Sequence, residues 1–197
     1  MSATRLLVLG LVRMYGKAHG YQVRRELQTW SADKWASIHP GSIYHALKKM
    51  TTEGLLEQVE TERGGAGPER VAYRLTGTGE TEFQVLLGQA LAEPGPGGQD
   101  LSAAVTLMTT LPRKQLINLL NLQLVRLEAH ERSARLLLEE GVGWGAPDHV
   151  AELYRLWQRL ADAQVGWLRE LIGRLEAGEY VLADDAEIAF GEPGSAE

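Results

Sequence analysis

The sequence has no cysteine, which excludes disulfide bonds and thiolate zinc sites throughout its 197 residues. None of the five histidines has a second ligand at metal-binding spacing beside a carboxylate, so we expect neither a metal nor another cofactor. No apolar run is long enough to cross a membrane. The apolar stretch 6–12 is short and is followed by Arg13 and Lys17, which predicts a core helix rather than a signal peptide. We therefore expect a cytoplasmic protein.

Motifs for catalysis are also lacking. The glycine clusters at 64–65 and 77–79 have neither the lysine nor the third glycine that a phosphate-binding loop needs. Ser42 lies in the sequence PGSIY, which is not a nucleophile elbow. The sequence therefore predicts a protein that is not an enzyme.

The sequence also lacks an overall positive charge, since its formal net charge is −6. The charges are unevenly distributed, however. Residues 1–52 carry eight Lys or Arg against two Asp or Glu, whereas residues 93–197 carry nine against seventeen. A basic face can bind nucleic acid locally, while an acidic remainder opposes indiscriminate binding. The first part of the chain is therefore the candidate nucleic-acid-binding module.

The run EPGPGGQ at 93–99 interrupts any helix or central strand. It predicts a first domain over residues 1–92, a linker over 93–99, a helical domain over 100–177 and an acidic tail over 178–197. In the first domain, hydrophobic periodicity predicts helices over about 4–14, 21–30, 40–54 and 78–91. Two strands with a glycine-rich tip precede the last of these helices.

This order of elements is that of a winged helix-turn-helix with a two-stranded wing. Beyond the linker, the pattern predicts three helices, over about 101–110, from 113 to about 140, and 147–177. The last two have apolar seams of coiled-coil type, with Glu131 and Gln164 as polar exceptions that could pair with each other, contact an effector or, as we favour, fix the helix register. The predicted seam residues are Ile117, Leu120, Leu124, Leu127, Ala134 and Leu138 in the first of these helices, and Val150, Leu153, Trp157, Leu160, Trp167 and Leu171 in the second. The predicted fold class is mainly α, with a winged helix-turn-helix followed by an all-helical C-terminal dimerisation domain.

The third predicted helix has one apolar and one cationic face. Ile43, Leu47 and Met50 point to one side, and hydrogen-bonding and basic residues point to the other, which fits a DNA major groove. We predict that DNA is contacted from this helix, from the start of the preceding helix and from the wing. The predicted DNA-binding residues are Tyr21, Gln22, Pro40, Gly41, Ser42, Tyr44, His45, Lys48, Lys49, Arg63, Gly65 and Arg70.

Several short motifs occur in a characteristic order: LLVLGL at 6–11, HGYQ at 19–22, PGSIYHAL at 40–47, EGLL at 53–56 and YRLT at 73–76, followed by Gly79. Over residues 1–90 the chain strongly resembles the PadR family of bacterial transcriptional regulators. The resemblance implies a homodimer that binds near-palindromic double-stranded operator DNA. It also implies repression that a small aromatic or drug-like effector relieves.

The C-terminal part resembles the larger PadR members, which have a multi-helix dimerisation domain, in architecture only. Compact members hold planar drugs between tryptophans of their dimerisation helix, and the fourth predicted helix here has no tryptophan. An aromatic effector pocket could be formed by His130, Tyr154, Trp157 and Trp167. The alternative, which we favour, is that the two tryptophans fill space in the seams.

Two other functions remain compatible with the same fold. One is a transcriptional activator whose C-terminal domain contacts other proteins. The other is a protein-interaction adaptor whose winged helix no longer binds DNA. DNA binding that weakens steeply with salt separates the adaptor from both regulators.

Overall fold

The structure is a computed structural model that describes residues 2–62, 70–95, 98–139 and 147–185, with side chains described except at 60–62, 70, 138, 139 and 148. Eight α-helices and three strands occur in these ranges: α1 (Ala3–Tyr15), β1 (Ala18–His19), α2 (Gly20–Thr29), α3 (Ala32–Trp35), α4 (Pro40–Thr52), β2 (Leu56–Glu62), β3 (Arg70–Leu75), α5 (Gly77–Ala92), α6 (Gln99–Leu107), α7 (Arg113–Glu139) and α8 (Ala151–Glu176). Short 3-10 turns at Met108–Thr110 and Asp148–Val150 follow α6 and precede α8. The mainly helical winged fold is as predicted.

The winged helix-turn-helix predicted over residues 1–92 is called the winged module below. Local signals in the sequence explain where its helices begin and end. Pro40 is the first residue of α4, where its missing N–H has no partner to lose. Gly54, just after α4, has φ +74°, a left-handed conformation that glycine adopts without strain. Thr76 caps α5, because its hydroxyl oxygen accepts a hydrogen bond from the Gly79 N–H at 3.0 Å.

Helix α1 is the centre of the hydrophobic core. Its apolar residues from Leu6 to Val12 are fully buried within their own chain, as the all-round apolar pattern requires. Helices α4, α5 and α6 and strand β3 all pack against it. Gly10 allows α6 to come close, since a Cβ there would lie 2.6 Å from the Leu107 side chain. The segment after the linker therefore covers one side of α1.

Two short elements were missed in the sequence. Strand β1 is only two residues long and pairs with β3, Ala18 opposite Tyr73 and His19 opposite Ala72, which makes a three-stranded antiparallel sheet of order β1-β3-β2. The stretch predicted as a connection before α4 contains the single turn of α3. Elements this short carry no hydrophobic period, so only tertiary contacts reveal them.

The seam of α7 agrees with the predicted one in part. The predicted residues Leu120 and Leu127 are buried, but the predicted residues Ile117 and Leu124 are only half-buried and Leu116 is buried instead. The face is rotated because α7 packs against α5 as well as α8. It also places Gln123, which was not predicted to be in the core, at full burial with no hydrogen-bond partner for its amide among the described atoms.

Helix α8 is buried along its second half only. Val165, Leu168, Leu171, Ile172 and Leu175 are buried against the core, but the first half of the helix leaves its large apolar side chains exposed. The predicted seam residues Leu153, Trp157 and Leu160 are 42, 50 and 59% exposed. The prediction that Trp157 fills space in a seam is therefore wrong within the single chain. No helix in the described ranges combines the length and apolar character needed to cross a bilayer.

The end of α8 is tied to the start of α7 by Arg113. Its guanidinium donates to the carbonyl oxygens of Leu175 and Tyr180 at 2.8 and 2.9 Å, and to Asp185 at 2.6 Å. Leu182 is fully buried in the segment that follows α8. The first residues of the predicted acidic tail are thus packed against the helices.

Candidate nucleic-acid interface

The inner face of α4 anchors it in the winged module. Ile43, Leu47 and Met50 are buried and belong to the same core as α1. Their spacing of four and three residues places them along one side of the helix. The opposite side is consequently held outward, in a fixed orientation, from the rest of the fold.

The outer face of α4 carries three of the predicted DNA contacts. His45, Lys48 and Lys49 are exposed, as the helical geometry predicted. Lys49 lies 4.0 Å from the Glu53 carboxylate, the limit of an ion pair. Lys48 has no ion pair with a described residue, so its full charge is directed into solvent.

The first turn of α4 combines three small or rigid residues. Pro40 and Gly41 are exposed, and a Cβ at Gly41 would meet nothing within 4 Å. The fold therefore does not require glycine there, and its absent side chain leaves the backbone open to an approaching partner. The Ser42 hydroxyl donates to the His39 carbonyl oxygen at 2.7 Å, so its oxygen lone pairs remain available.

Tyr44 is held by a contact with the start of α2. A Cβ on Gly20 would lie 2.6 Å from the Tyr44 ring, so the ring lies directly against the helix backbone. The side chain is nevertheless 45% exposed. Burial, and to a smaller degree the nearby Tyr44, raises the pKa of Tyr73, which therefore keeps its proton at neutral pH. Gly20 was missed as a site residue, although it directly precedes Tyr21 in the sequence.

Tyr21 and Gln22, both in the first turn of α2, differ in exposure and in their contacts. The ring of Tyr21 stacks on His19, with centroids 5.5 Å apart, and is 44% exposed. The Gln22 side-chain oxygen accepts a hydrogen bond from the His19 N–H at 2.7 Å, which caps the helix. Tyr21 thus shares the exposed surface with Tyr44, while Gln22 has a structural role that the sequence prediction did not include.

Of the predicted wing, the structure describes the two strands but not the residues 63–69 between them. β2 and β3 pair antiparallel from Leu56 opposite Leu75 to Glu62 opposite Arg70, with an irregularity between Gln58 and Glu60. The predicted contacts Arg63 and Gly65 lie outside the described residues, and so does the side chain of Arg70. Contacts from the wing stay predictions.

Three of the four residues predicted for an effector pocket lie together. His130 and Trp157 line a cavity of about 600 Å³, which Pro94, Gly95 and Gly98 also line, and Tyr154 meets Trp157 edge-on at 5.5 Å. Trp167 lies apart, in a neighbouring cavity of about 470 Å³ that it shares with Trp35. Glu131, the polar seam residue of α7, forms an ion pair with Arg135 instead of pairing with Gln164.

Gln164 lines both cavities, and Trp35 lines the second. Trp35 was not predicted as a pocket residue, because it is far from the others in sequence. For Gln164 an effector contact was one of three roles considered, and helix register was the favoured one. No group of three or more potential metal ligands occurs among the residues that the structure describes.

Comparison with known proteins identifies the winged module. Residues 8–85 match the Transcriptional regulator PadR-like family. Over these residues the chain is similar to PadR-like transcriptional regulators, which supports the coarse function of a DNA-binding regulator. The match ends within α5, so the C-terminal helices lie beyond it.

Solved PadR structures also resemble the chain. Bacillus subtilis PadR in complex with operator DNA is 23% identical, with 87% of this chain and 98% of that chain covered and a TM-score of 0.41. For the same protein with p-coumaric acid the values are 20%, 88%, 99% and 0.36. For the PadR-like regulator BC1756 of Bacillus cereus they are 21%, 89%, 99% and 0.37. No curated protein sequence matches the chain. The similarity to the PadR-like family rests on residues 8–85 alone.

Proposed function

We propose that this PadR-like regulator is a homodimeric repressor that binds a near-palindromic operator and leaves it when a small aromatic effector binds. The outer face of α4 is the observation that carries this proposal. Its inner face is fixed in the core, while Lys48 and His45 are exposed and Gly41 leaves the backbone open. A rigid, cationic helix face of this kind fits the major groove.

The two exposed tyrosines extend the proposed interface beyond α4. Tyr44 lies against Gly20, and Tyr21 follows Gly20 at the start of α2, so both rings project near the point where the two helices meet. In helix-turn-helix proteins the first helix of the pair crosses the DNA backbone. Phenol hydroxyl groups at this point are suited to donate hydrogen bonds to phosphate oxygens.

Dimerisation is supported by the apolar side chains that α7 and α8 leave exposed. Leu136 and Leu137 near the end of α7, and Leu153, Leu156 and Leu160 near the start of α8, are 42 to 59% exposed. Several large apolar side chains on two adjoining helix ends are characteristic of a protein interface. Because helix α1 is buried in its own chain, we assign dimerisation to the C-terminal helices.

An effector site is supported by the cavity next to this surface. It combines Trp157, Leu127 and Leu160 with the polar groups of His130 and Gln164. Mostly apolar walls with a few polar groups suit a small aromatic molecule. Because Pro94, Gly95 and Gly98 also line the cavity, a bound molecule would contact residues of the connection that leads to the winged module.

Operator binding is tested with DNA from upstream of the protein's own gene. DNase footprinting should show a protected, near-palindromic site, and the affinity should fall steeply with rising salt as counterions are released. Transcription in vitro from a promoter carrying the site should then decrease when the protein is added. An increase would identify an activator, and the absence of any sequence-preferring protection would contradict the operator-binding proposal.

The effector proposal is tested on the same complex. A panel of small aromatic acids and planar drugs should contain members that release the wild-type protein from DNA. Trp157→Ala should reduce that release, because it removes the largest wall of the cavity. Arg159→Ala is the control, since Arg159 is exposed on the same helix but neither lines the cavity nor belongs to the proposed dimer surface. Equal responses of both variants and the wild type would limit Trp157 to a packing role.

A further inference from the structure

The basic residues of the winged module fall into two groups. Some are neutralised within the protein: Arg5 pairs with Glu53 at 2.6 Å and with Glu82 at 3.0 Å, and Arg13 with Glu80 at 2.9 Å. Others in the described part of residues 2–62 have no ion pair or hydrogen bond from their side chains: Arg24, Lys34 and Lys48. Since they hold nothing together in the fold, the charges of this second group are available to a partner.

Two of these unpaired cations meet in one cleft. Arg24 of α2 and Lys34 of α3 both line a depression of about 460 Å³ that ends at His39 and Pro40, the start of α4. Asp33 is the acidic residue of the cleft, and Gln28 and Ser31 add neutral hydrogen-bonding groups. Arg24 and Lys34 thus belong to different helices but share one opening.

The cleft continues the proposed DNA-binding face. Arg24 lies one turn after the exposed Tyr21 on α2, at a spacing of three residues that places both on the same side. His39 and Pro40, at the start of α4, also line the cleft, so the positive end of the helix dipole favours an anion there. Two cations and a helix start around one opening suit a single phosphate group.

We infer that this cleft is a second phosphate-binding site, in which Arg24 and Lys34 bind a backbone phosphate of the duplex outside the groove that α4 enters. The inference rests on the proposed function, because it extends the same interface. It assigns to Arg24 and Lys34 a role that positions the duplex and does not read its sequence. The nearby Asp33 carboxylate weakens the site without cancelling both positive charges.

The test measures DNA affinity by fluorescence anisotropy over a series of salt concentrations. Arg24→Ala, Lys34→Ala and the double variant are compared with the wild type on the upstream DNA and on an unrelated duplex. Because both cations neutralise one phosphate, the double variant should reduce the slope of log affinity against log salt by about 1, and each single substitution should reduce it by less. The reduction should be equal on both duplexes, because phosphates are common to them.

Three control variants sharpen the result. Lys114→Ala removes an equally exposed, unpaired cation from α7, far along the chain from the cleft, and should leave the slope unchanged. Arg24→Lys should retain the slope, and Asp33→Asn should raise the affinity. All variants should melt at the wild-type temperature, since neither cation has a partner in the described fold.

The outcomes separate this site from the proposed function. If the wild type shows no preference for the upstream DNA, operator recognition fails, while the slopes on the unrelated duplex still decide on the cleft. An unchanged slope in the double variant overturns the cleft site while leaving α4 intact. An equal loss in Lys114→Ala also overturns it, because the effect would then come from overall charge. A wild type that binds neither duplex contradicts both proposals.

Discussion

The winged module and the pair formed by α7 and α8 differ in how completely their apolar side chains are buried. Helix α1 is enclosed by the rest of the winged module together with α6, and the exposed face of α4 is polar and cationic. The pair of long helices buries one end of its seam and leaves large apolar side chains exposed at the other. The first region is therefore complete within one chain, while the second has the surface of a protein that needs a partner.

This difference shows that the same sequence pattern can have two outcomes. Apolar residues at helical spacing predict a buried face in both regions. Whether the face is buried by the same chain depends on how many helices surround it. Around α1 there are four helices and two strands, whereas α8 packs mainly against α7 among the described residues. The following experiments test this contrast.

The largest effect is expected at the centre of α1. Leu7→Ala should reduce the free energy of unfolding by about 2–5 kcal/mol, because it leaves a cavity in a fully enclosed core. Urea unfolding followed by circular dichroism measures the change. The loss should be independent of protein concentration if the module is complete within one chain. Leu153→Ala, at a half-exposed position, is the comparison and should lose far less in the monomer.

The second experiment disrupts the exposed surface of α8. Replacing Leu156 and Leu160 together by aspartate should lower the dimer affinity by about a hundredfold or more, near 2.7 kcal/mol, because charges would be buried at the interface. Sedimentation velocity should then show a monomer at concentrations where the wild type is a dimer. The circular dichroism of the variant should remain helical. A dimer that persists would place the interface elsewhere.

The third experiment compares the two neighbouring lysines of α4. Lys48→Ala should weaken DNA binding by about tenfold, near 1.4 kcal/mol, without lowering the melting temperature. Lys49→Ala should weaken it less, because Glu53 already offsets part of the Lys49 charge. Anisotropy titrations at one salt concentration measure both. A lower melting temperature for Lys48→Ala would contradict its outward placement.

The smallest effect concerns the contact between α1 and α2. Burial, and then the hydrogen bond to Glu26, raises the pKa of Tyr15 from 10.0 to about 12. The protonated phenol is favoured in the folded state, so its contribution to stability is complete below about pH 10 and is lost as the pH rises towards 12. Tyr15→Phe should remove this part of the alkaline destabilisation. Urea unfolding at pH 9 and pH 11.5 checks it.

Much of the winged module could be predicted from the sequence because its signals are local. Pro40, Gly54 and Thr76 mark helix ends by their own backbone chemistry, and the structure places the ends of α4 and the start of α5 beside them. The outward positions of Lys48 and Lys49 follow from the helical period. These features do not depend on what surrounds them.

Features that depend on distant contacts could not be predicted. The close approach of Gly20 and Tyr44 joins residues 24 positions apart, and the meeting of Trp35 and Trp167 joins two ends of the chain. The rotation of the α7 seam arises because α5 shares that helix. The hydrophobic pattern of a single helix does not show how many other helices pack against it.

The close packing of α6 on α1 determines how this protein can be divided. A fragment that stops before residue 99 would lose Leu107, the side chain that lies against Gly10, and would expose one side of the most apolar helix to water. Such a fragment should be prone to aggregation even though every element of the winged helix remains. A DNA-binding fragment that stays in solution should instead extend through Leu111, which is itself buried in the same core.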